Sequence, residues 1–400
     1  MTRRYVIVGN GIAGQTCAEE LRLLDPDGAV TMIAGEPHPL YNRVALPRFL
    51  KGQLRWEKVM LRSVEDYAER GIDIRFSTHA DRIDPDRRTV MTHAGEEIGF
   101  DSLLLATGGR PRSLEAPGME TVTNAHAFYT LDDARRIAEA AEQAKRVLVI
   151  GGSFIAYELA EAIAHRGPSV TWLMRGPWFL RTVLDEDGGR VCRALGERVG
   201  VDFACSDTIV RFEGNRCITG SGRVIDFDML VYGIGLDFNT QLAREAGLGV
   251  DRGILTDAKL QTDQAGIYAA GDVAQFDDVV LGRRNQVGTW DNAQAQGRVA
   301  AMNMAGGAQD FIDVATYTTT MFGSTLAVMG LTPERGLDLE AFAEFELERG
   351  HYRKLFFRES QLVGAVMIGS PKGRKKLIEM IRAGEAVAGP RGELLTALPQ

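Results

Sequence analysis

The pattern of apolar and polar positions near the start of the chain predicts a strand, a turn, a helix and a second strand. An apolar run at Tyr5–Val8 leads into a glycine-rich turn over residues 9–14. A helical pattern then extends to about Leu24, and residues 29–34 are typical of a returning buried strand. Alternating strands and helices of this kind form βαβ units, which build parallel sheets.

The same pattern occurs a second time in the middle of the chain. An apolar run at 147–150 leads into a turn over residues 151–156. The helix that follows is expected to end at Gly167, because the Gly-Pro pair there cannot continue a helix, and residues 169–174 are expected to form the returning strand. The chain therefore contains two related βαβ units.

Further strand patterns complete the predicted architecture. Apolar runs at 101–107, 228–235 and 266–270 indicate more buried strands. From about Phe311 the pattern changes to short strands at 352–357 and 362–368, with a basic helix from about Lys372. We predict an α/β fold with two Rossmann-like nucleotide-binding domains and a small α+β C-terminal domain of the interface type. The predicted boundaries are 1–115 with 246–308, 116–245, and 309–400.

The first glycine turn has the spacing of a dinucleotide-binding motif. Gly9 permits the tight turn, Gly11 allows the backbone to approach a pyrophosphate, and Gly14 allows the helix to pack on the strand. The phosphates would then lie at the positive end of the helix. Glu36 follows the second strand, where a carboxylate can accept hydrogen bonds from a ribose. A dinucleotide site is therefore expected here.

Two later segments carry a resemblance to a known family. Residues 105–110 (LATGGR) and 266–272 (GIYAAGD) resemble the second and third FAD signatures of the pyridine nucleotide-disulfide reductase superfamily. The order and spacing of these segments, with the second βαβ unit between them, resemble those of this superfamily over nearly the whole chain. Residues 39–43 and the segments at 352–355 and 363–365 look most like NADH:rubredoxin reductases, the flavin-binding part of nitrite reductases, and ferredoxin reductases.

The resemblance implies FAD as a cofactor and assigns roles to several residues. Asp272 would bind the ribityl chain, Glu36 the adenosine ribose, and Arg43 the flavin or its phosphates. Arg48 and Glu158 match an ion pair beside the flavin ring. The remaining expected contacts to FAD or the nicotinamide dinucleotide are Ile12, Ala13, Ala80, Thr107, Gly108, Arg110, Gly151, Ser153, Phe154, Ile155, Arg175, Gly235, Gly271 and Trp290.

Simpler interpretations remain open for some of these residues. A Gly-Asp pair alone could be a helix cap after a buried strand, but the full segment 266–272 in this order argues against that interpretation of Asp272. Arg48 and Glu158 are as consistent with isolated surface charges as with a pair, and Trp290 could be a core residue.

The second glycine turn departs from the motif. Ser153 and Ala156 stand where glycine is expected, and a side chain at Ser153 crowds the approach to a pyrophosphate, although its hydroxyl could donate to a phosphate oxygen. At the end of the next strand the chain has Arg175, whereas NADH-specific members carry an acid there. Arginine suits a 2'-phosphate and slightly favours NADPH over NADH. A solvated loop arginine is the alternative.

Charge and cysteine content narrow the function further. The chain has 46 basic and 54 acidic side chains, a net charge of −8, which disfavours nucleic acid as a partner. We expect no signal peptide and no membrane span. The four cysteines have no disulfide or metal-ligand spacing and lie outside the segment 41–54, where related disulfide reductases carry a redox thiol. We therefore expect no metal site, no disulfide reductase activity and a cytoplasmic location.

These observations predict an FAD-dependent NAD(P)H oxidoreductase with an external acceptor. The acceptor is expected to be a small electron carrier such as a rubredoxin or ferredoxin, and the basic run 372–376 could dock it, or could simply be the solvated face of a helix. One alternative is a flavin-binding subunit of a larger redox complex with a weakened nicotinamide site. Another is an NAD(P)H oxidase. A homo-oligomer is also possible.

Overall fold

A computed structural model describes residues 2–332 and 339–397. The α-helices are α1 Ile12–Leu24, α2 Leu46–Leu50, α3 Val64–Glu69, α4 Leu131–Ala141, α5 Phe154–Arg166, α6 Glu186–Arg198, α7 Gln241–Glu245, α8 Trp290–Met304, α9 Arg374–Ala383 and α10 Glu393–Ala397. The strands of the first half are β1 Arg4–Val8, β2 Ala29–Ile33, β3 Ile72–Arg75, β4 Ala80–Asp84, β5 Thr89–Thr92, β6 Glu97–Gly99, β7 Ser102–Leu105, β8 Gly109–Pro111, β9 Ala125–Ala127, β10 Arg146–Ile150, β11 Ser169–Leu173 and β12 Val201–Ala204. The later strands are β13 Ile209–Phe212, β14 Arg216–Thr219, β15 Val224–Asp226, β16 Met229–Tyr232, β17 Leu236–Phe238, β18 Ile254–Leu255, β19 Ile267–Ala269, β20 Ala274–Asp278, β21 Arg283–Asn285, β22 Thr316–Met321, β23 Ser324–Gly330, β24 Glu340–Glu346, β25 His351–Arg358 and β26 Gln361–Ile368.

The first of two compact units is built on a parallel sheet. It contains residues 1–42, 60–110 and 237–315. Its five-stranded sheet has the order β19-β7-β1-β2-β3, and all four pairings are parallel. The central strand β1 is buried over Tyr5–Val8, as expected for a strand covered on both faces. Helix α1 packs against α8 over one face of this sheet.

The second compact unit contains residues 43–59, 111–236 and 316–400. Its parallel sheet has the order β12-β11-β10-β16-β9, with the second βαβ unit at its centre. Helix α5 ends at Arg166 because Gly167 adopts a left-handed conformation with φ of +110° and Pro168 follows. A small antiparallel sheet, β13-β14-β15, completes this part of the unit.

The second unit also contains an antiparallel sheet formed by the C-terminal part of the chain. Its order is β22-β23-β26-β25-β24, and the central strand β26 is buried over Leu362–Ile368. Helix α9 packs on β26 and β23 through Leu377 and Ile381, which are buried, while its basic residues remain toward solvent. The α+β character expected for the C-terminal part is confirmed.

The predicted α/β class with two parallel sheets is confirmed, and both βαβ units lie where the sequence placed them. The three-domain division stays a prediction, because the chain separates into two compact units and the segment 43–59 belongs to the second. The predicted C-terminal domain also includes 333–338 and 398–400, which lie outside the described residues. In the described ranges, no helix is long and apolar enough to cross a membrane.

Candidate dinucleotide sites

The first glycine turn is closed where it packs and open where a ligand would bind. Gly9 has φ of +112°, and a Cβ there would lie 2.1 Å from the backbone oxygen of Ala106. A Cβ on Gly14 would lie 2.0 Å from the backbone oxygen of Gly9. A Cβ on Gly11, in contrast, would meet no atom within 4 Å. The turn is therefore tight on its protein side and leaves free space beside Gly11.

Helix α1 begins at this turn without a side-chain cap. Gly11 is its N-cap residue, has an extended backbone with φ of −66° and ψ of 178°, and has no side chain to accept a hydrogen bond from the helix. Uncapped N–H groups at a helix N-terminus attract anions, since they carry the positive end of the helix dipole. Ile12 and Ala13 are the first two helical residues. This is the chemistry required to bind a pyrophosphate.

The structure brings the Gly271-Asp272 segment to the same turn. A Cβ on Gly271 would lie 3.2 Å from the Cβ of Ala13, and the Gly271 N–H donates to Oε1 of Gln296 on α8 at 2.7 Å. A Cβ on Gly297 of α8 would lie 2.3 Å from the backbone oxygen of Ala13. Because these approaches are so close, α8 holds Asp272 beside the start of α1. Sequence reasoning did not identify Gln296 or Gly297.

Polar atoms near Asp272 fit a bound cofactor. The Gln286 amide donates to the backbone oxygen of Asp272 at 2.8 Å, while its Oε1 is buried and has no hydrogen-bond partner among the described residues. Thr289 Oγ1, next to Trp290 at the start of α8, is also buried without a partner there. Buried polar atoms normally have hydrogen-bond partners, so these two are suited to a ligand. Together with the space at Gly11, they fit the chemistry of a flavin dinucleotide.

The other expected flavin contacts in the first unit lie in ordered surroundings. Glu36 follows β2 and accepts a hydrogen bond from the Tyr41 hydroxyl at 2.8 Å. Thr107 Oγ1 donates to the backbone oxygen of Asn239, and the Asn239 amide donates back to the Thr107 backbone oxygen, both at 2.8 Å. Asn239 therefore holds the strand end that carries Thr107 and Gly108. Ala80 begins β4 and is half-buried, and Arg110 is exposed.

The second glycine turn packs as tightly against the protein backbone as the first. Gly151 has φ of +130°, and a Cβ there would lie 2.3 Å from the backbone oxygen of Gly233. Nε1 of the buried Trp172 donates to the Gly151 backbone oxygen at 2.7 Å, which fixes the turn further. Gly235, two residues after Gly233, has φ of +112°. The strand end and the turn therefore pack as closely as in the first unit.

The second turn differs in how its helix begins. Ser153 is the N-cap residue of α5, and its Oγ accepts from the Ala156 N–H at 3.2 Å. The same hydroxyl donates to the Gly233 backbone oxygen at 2.7 Å. Because the serine proton is used in this bond, Ser153 in this rotamer has no proton to donate to a phosphate. Of the two roles left open for Ser153 by the sequence, the structure favours obstruction.

Arg48 and Glu158 lie together at one cavity of the second unit, but not as an ion pair. The cavity has a volume of about 880 Å³ and is lined by α2, α5, β22, β23 and the start of α9. Among the described residues, Lys51, which directly follows α2, forms an ion pair with Glu161 on α5, at 2.8 Å and mostly buried. Glu158 instead accepts a hydrogen bond from the Tyr317 hydroxyl at 3.0 Å. In place of the expected Arg48–Glu158 pair, the structure has an ion pair whose two members each lie three residues further along the chain.

Glu158 has an unusual electrostatic environment. The pKa of Glu158 is raised to about 7, mainly by burial and also by the nearby Glu161 carboxylate, while the Tyr317 hydrogen bond and Lys51 act in the opposite direction. The sequence did not identify Lys51, Glu161 or Tyr317, because the fold brings them together from distant segments. A carboxyl group that titrates near neutral pH beside a cavity is a common feature of functional sites.

The remaining predicted residues of the second unit have defined positions. The Arg43 guanidinium lies 4.5 Å from the centre of the Tyr129 ring and donates to the Tyr129 backbone oxygen at 3.0 Å. Arg175 is exposed just after β11. The Phe154 ring packs against the Tyr317 ring, and Ile155 is half-buried at the start of α5.

The basic run 372–376 lies partly at the same cavity. Gly373, Arg374, Lys375 and Lys376 line it, and Arg374 donates to Thr318 Oγ1. With Arg48 and Lys51, the cavity wall carries five cationic side chains against two glutamates. The four cysteines are free; burial raises the pKa of Cys217 to about 11 and raises those of Cys17, Cys192 and Cys205.

Two dinucleotide-type turns on parallel sheets define a nucleotide-dependent oxidoreductase fold, and comparison with known proteins agrees. The family model for pyridine nucleotide-disulphide oxidoreductases matches residues 3–297, and the model for the rubredoxin NAD+ reductase C-terminal domain matches residues 320–385. The chain belongs to the pyridine nucleotide-disulphide oxidoreductase family.

Individual relatives give a finer comparison. The chain is 32% identical to the ferredoxin–NAD(+) reductase component of the anthranilate 1,2-dioxygenase system of Burkholderia cepacia, covering 82% of each chain. It is 29% identical to the nitrite reductase [NAD(P)H] of Bacillus subtilis, over 95% of this chain and 47% of that protein, so it spans about half the length of that relative. Its structure is similar to that of putidaredoxin reductase in a covalent complex with putidaredoxin, with a TM-score of 0.91, 26% identity, and coverage of 96% and 94%.

Proposed function

We propose that this chain is an FAD-dependent NAD(P)H oxidoreductase that passes electrons to a small redox protein. The observation that carries the proposal is the uncapped start of α1 at Gly11, with open space beside it and with Asp272 held against the same helical turn. Such a turn suits a diphosphate and a polyol chain, which together join the adenosine of FAD to its flavin ring.

In this proposal each unit of the chain has a separate task. In the first unit, the N–H groups at the start of α1 bind the diphosphate, Glu36 the ribose and Asp272 the ribityl chain. Bound FAD supplies a ring that accepts a hydride from a nicotinamide and releases two electrons to an acceptor. In the second unit, the turn at Gly151 binds the nicotinamide dinucleotide, and Arg48 and Glu158 contact the reacting rings. Catalysis then consists mostly of orientation.

We further propose NADPH as the slightly preferred donor. Arg175 is exposed at the end of β11, where the second ribose of a dinucleotide is recognised in this fold, and a guanidinium there suits a 2'-phosphate. No acidic residue stands at that position of the sequence to bind the 2'-hydroxyl of NADH.

The acceptor we propose is an acidic electron carrier of the ferredoxin or rubredoxin kind. Relatives named for ferredoxin and rubredoxin partners support it, as do the five cationic side chains around the cavity of the second unit. The cysteines support an external acceptor too: their pKa values are raised by burial, so the thiols stay protonated and are poor nucleophiles. Free cysteines also suit a reducing compartment, and we propose the cytoplasm.

A second candidate function is favoured by Ser153. Its cap on α5 occupies an N–H group that a phosphate would otherwise use, so the nicotinamide site could be weak and the chain could act as a flavin-binding subunit of a larger redox complex. A third candidate, an NAD(P)H oxidase, differs only in using oxygen as acceptor.

The test is reduction of the flavin-loaded protein in the absence of oxygen. Addition of NADPH or NADH should bleach the flavin absorbance, and added ferredoxin or rubredoxin should restore it. If the absorbance persists with both donors, the reductase proposal is wrong and the subunit interpretation is favoured. If bleaching occurs but only oxygen restores the colour, the oxidase interpretation replaces it.

A further inference from the structure

One side chain of the C-terminal sheet contacts two residues of α5 that face the same way. The Tyr317 hydroxyl on β22 donates to Oε1 of Glu158 at 3.0 Å. The Tyr317 ring packs against the Phe154 ring in a tilted arrangement, with ring centres 4.1 Å apart and an angle of 51° between the planes. Phe154 and Glu158 are four residues apart on α5, so they lie on one helical face. Tyr317 therefore holds two neighbouring side chains at once.

The alternation of β22 explains why Tyr317 points toward α5. Tyr317 and Thr319 are half-buried, whereas Thr318 and Thr320 are exposed, as expected for a strand with one covered face. The Thr319 hydroxyl forms a 2.6 Å hydrogen bond with the Tyr157 hydroxyl, the next contact along the same strand and helix. This second bond fixes the register of β22 against α5 and with it the position of Tyr317.

Charged groups surround Glu158, but its resolved hydrogen bond comes from a neutral donor. Lys51, the residue after α2, lies close enough to lower the pKa of Glu158, yet it is paired with Glu161 at 2.8 Å. Burial and Glu158 raise the pKa of the Tyr317 phenol above its usual value, so this hydroxyl remains protonated at any ordinary pH. The other titratable or charged side chains that line the same cavity are Arg48 on α2, Tyr157 on α5, and Arg374, Lys375 and Lys376 on α9.

We propose that Tyr317 is a positioning residue for Glu158: its hydroxyl fixes the carboxyl group in one orientation and favours its ionised form, while its ring holds Phe154. The catalytic consequence rests on the proposed function, because it requires Glu158 to contact the reacting cofactors. The effect on Glu158 itself does not depend on that function. Tyr317 belongs to the C-terminal sheet, so this sheet contributes directly to the nicotinamide side of the site.

The test removes the hydroxyl and keeps the ring. In Tyr317→Phe the Glu158 carboxylate loses a donor, so the pKa of Glu158 should rise by about one pH unit. The infrared carbonyl band of the protonated carboxyl, identified by its absence in Glu158→Gln, reports this pKa directly in wild type and variant. A titration curve that is the same in both proteins overturns the inference.

A matched control distinguishes this effect from a general loss of stability. The Tyr5 hydroxyl also donates to a carboxylate, that of Asp25, at 2.7 Å. This pair belongs to the first unit and is far from Tyr317 in the sequence. Tyr5→Phe removes an equivalent hydroxyl and should leave the Glu158 band in place. A shift of the band in Tyr5→Phe as large as in Tyr317→Phe would contradict a direct role of Tyr317.

Stability against pH gives a second readout that requires no turnover. Burial raises the pKa of Glu158 from 4.5 to about 7, so the folded state binds more protons than the unfolded state between these values. Its contribution to stability is therefore lost as the pH rises through this window. The difference in Tm between Glu158→Gln and wild type should increase from pH 5 to pH 8. The difference in Tm between Glu158→Gln and Tyr317→Phe should increase more over the same range, because the pKa of Glu158 is expected to be higher in Tyr317→Phe. A difference independent of pH would contradict the inference.

The same variants separate this inference from the proposed function. With flavin-loaded protein, the pH profile of flavin reduction by NADPH should shift upward in Tyr317→Phe together with the infrared band. If the band shifts and the rate profile does not, Tyr317 positions Glu158 as inferred, and the proposed contact of Glu158 with the reacting cofactors is wrong.

Discussion

The two glycine turns of this chain share one backbone geometry and differ at the position where a phosphate would bind. Gly9 and Gly151 both have φ above +110°, and a Cβ on either would collide with a backbone oxygen. Gly11 starts α1 with no cap and with open space, whereas Ser153 starts α5 with its hydroxyl bonded on both sides. The same fold element can therefore be prepared for a ligand or partly satisfied by the protein itself.

The strands that follow the two turns differ in the same sense. The first is followed by Glu36, a carboxylate that can accept hydrogen bonds from a ribose, and the second by Arg175, a cation suited to a phosphate. The first strand is thus followed by a group suited to a ribose that has no 2'-phosphate. The second is followed by a group suited to the 2'-phosphate of the NADPH that we propose.

The largest expected effect tests the geometry that the two turns share. Gly9→Ala and Gly151→Ala each force a side chain into a backbone oxygen, at 2.1 and 2.3 Å, with a left-handed φ. Each should destabilise its unit by about 3 kcal/mol, because neither backbone can relax without moving a central strand. Thermal unfolding of the apoproteins measures the loss. Gly152→Ala is the control, since a Cβ there meets nothing within 4 Å. A large loss in only one variant would show that the turns are not equivalent.

The next effect tests the difference between the turns. Ser153→Gly frees the Ala156 N–H and removes the side chain at the phosphate position, so it should tighten binding of the nicotinamide dinucleotide about fivefold. The Kd is measured by calorimetry with NADPH and with NADH. Ser63→Gly is the matched control, because Ser63 caps α3 in the same way in the first unit. An affinity that is already tight and unchanged by the substitution would contradict obstruction by Ser153.

The smallest effect concerns the residue after each second strand. Arg175→Glu should weaken NADPH binding several-fold, because only NADPH carries the 2'-phosphate, and should leave NADH binding unchanged or tighter, because a carboxylate can accept a hydrogen bond from the 2'-hydroxyl of NADH. The ratio of the two Kd values is the measurement. The opposite variant, Glu36→Arg, should leave this ratio unaffected. Equal weakening of both nucleotides by Arg175→Glu would show that Arg175 does not distinguish them.

The sequence predicted the parts of this molecule that depend on local physics. Strands β1 and β10 and helices α1 and α5 could be located within a residue or two, because hydrophobic periodicity and the Gly9 and Gly167 positions define them. The sequence also identified Arg48 and Glu158, which lie at one cavity. It could not predict their partners, because Lys51, Glu161 and Tyr317 reach this cavity only through tertiary packing. The role of Ser153 was left open for the same reason, since its acceptor, the backbone of Gly233, lies 80 residues away.

Uptake of FAD by the apoprotein tests the central claim most directly. Gly11→Val and Gly152→Val each place a side chain in open space beside a glycine turn, so neither should disturb the fold. Wild type and Gly152→Val should bind FAD tightly and turn yellow, while Gly11→Val should remain folded and lose affinity about a hundredfold or more, because the valine occupies the position of the diphosphate. Equal FAD affinity in all three proteins, or a wild-type protein that folds and stays colourless, would contradict the account.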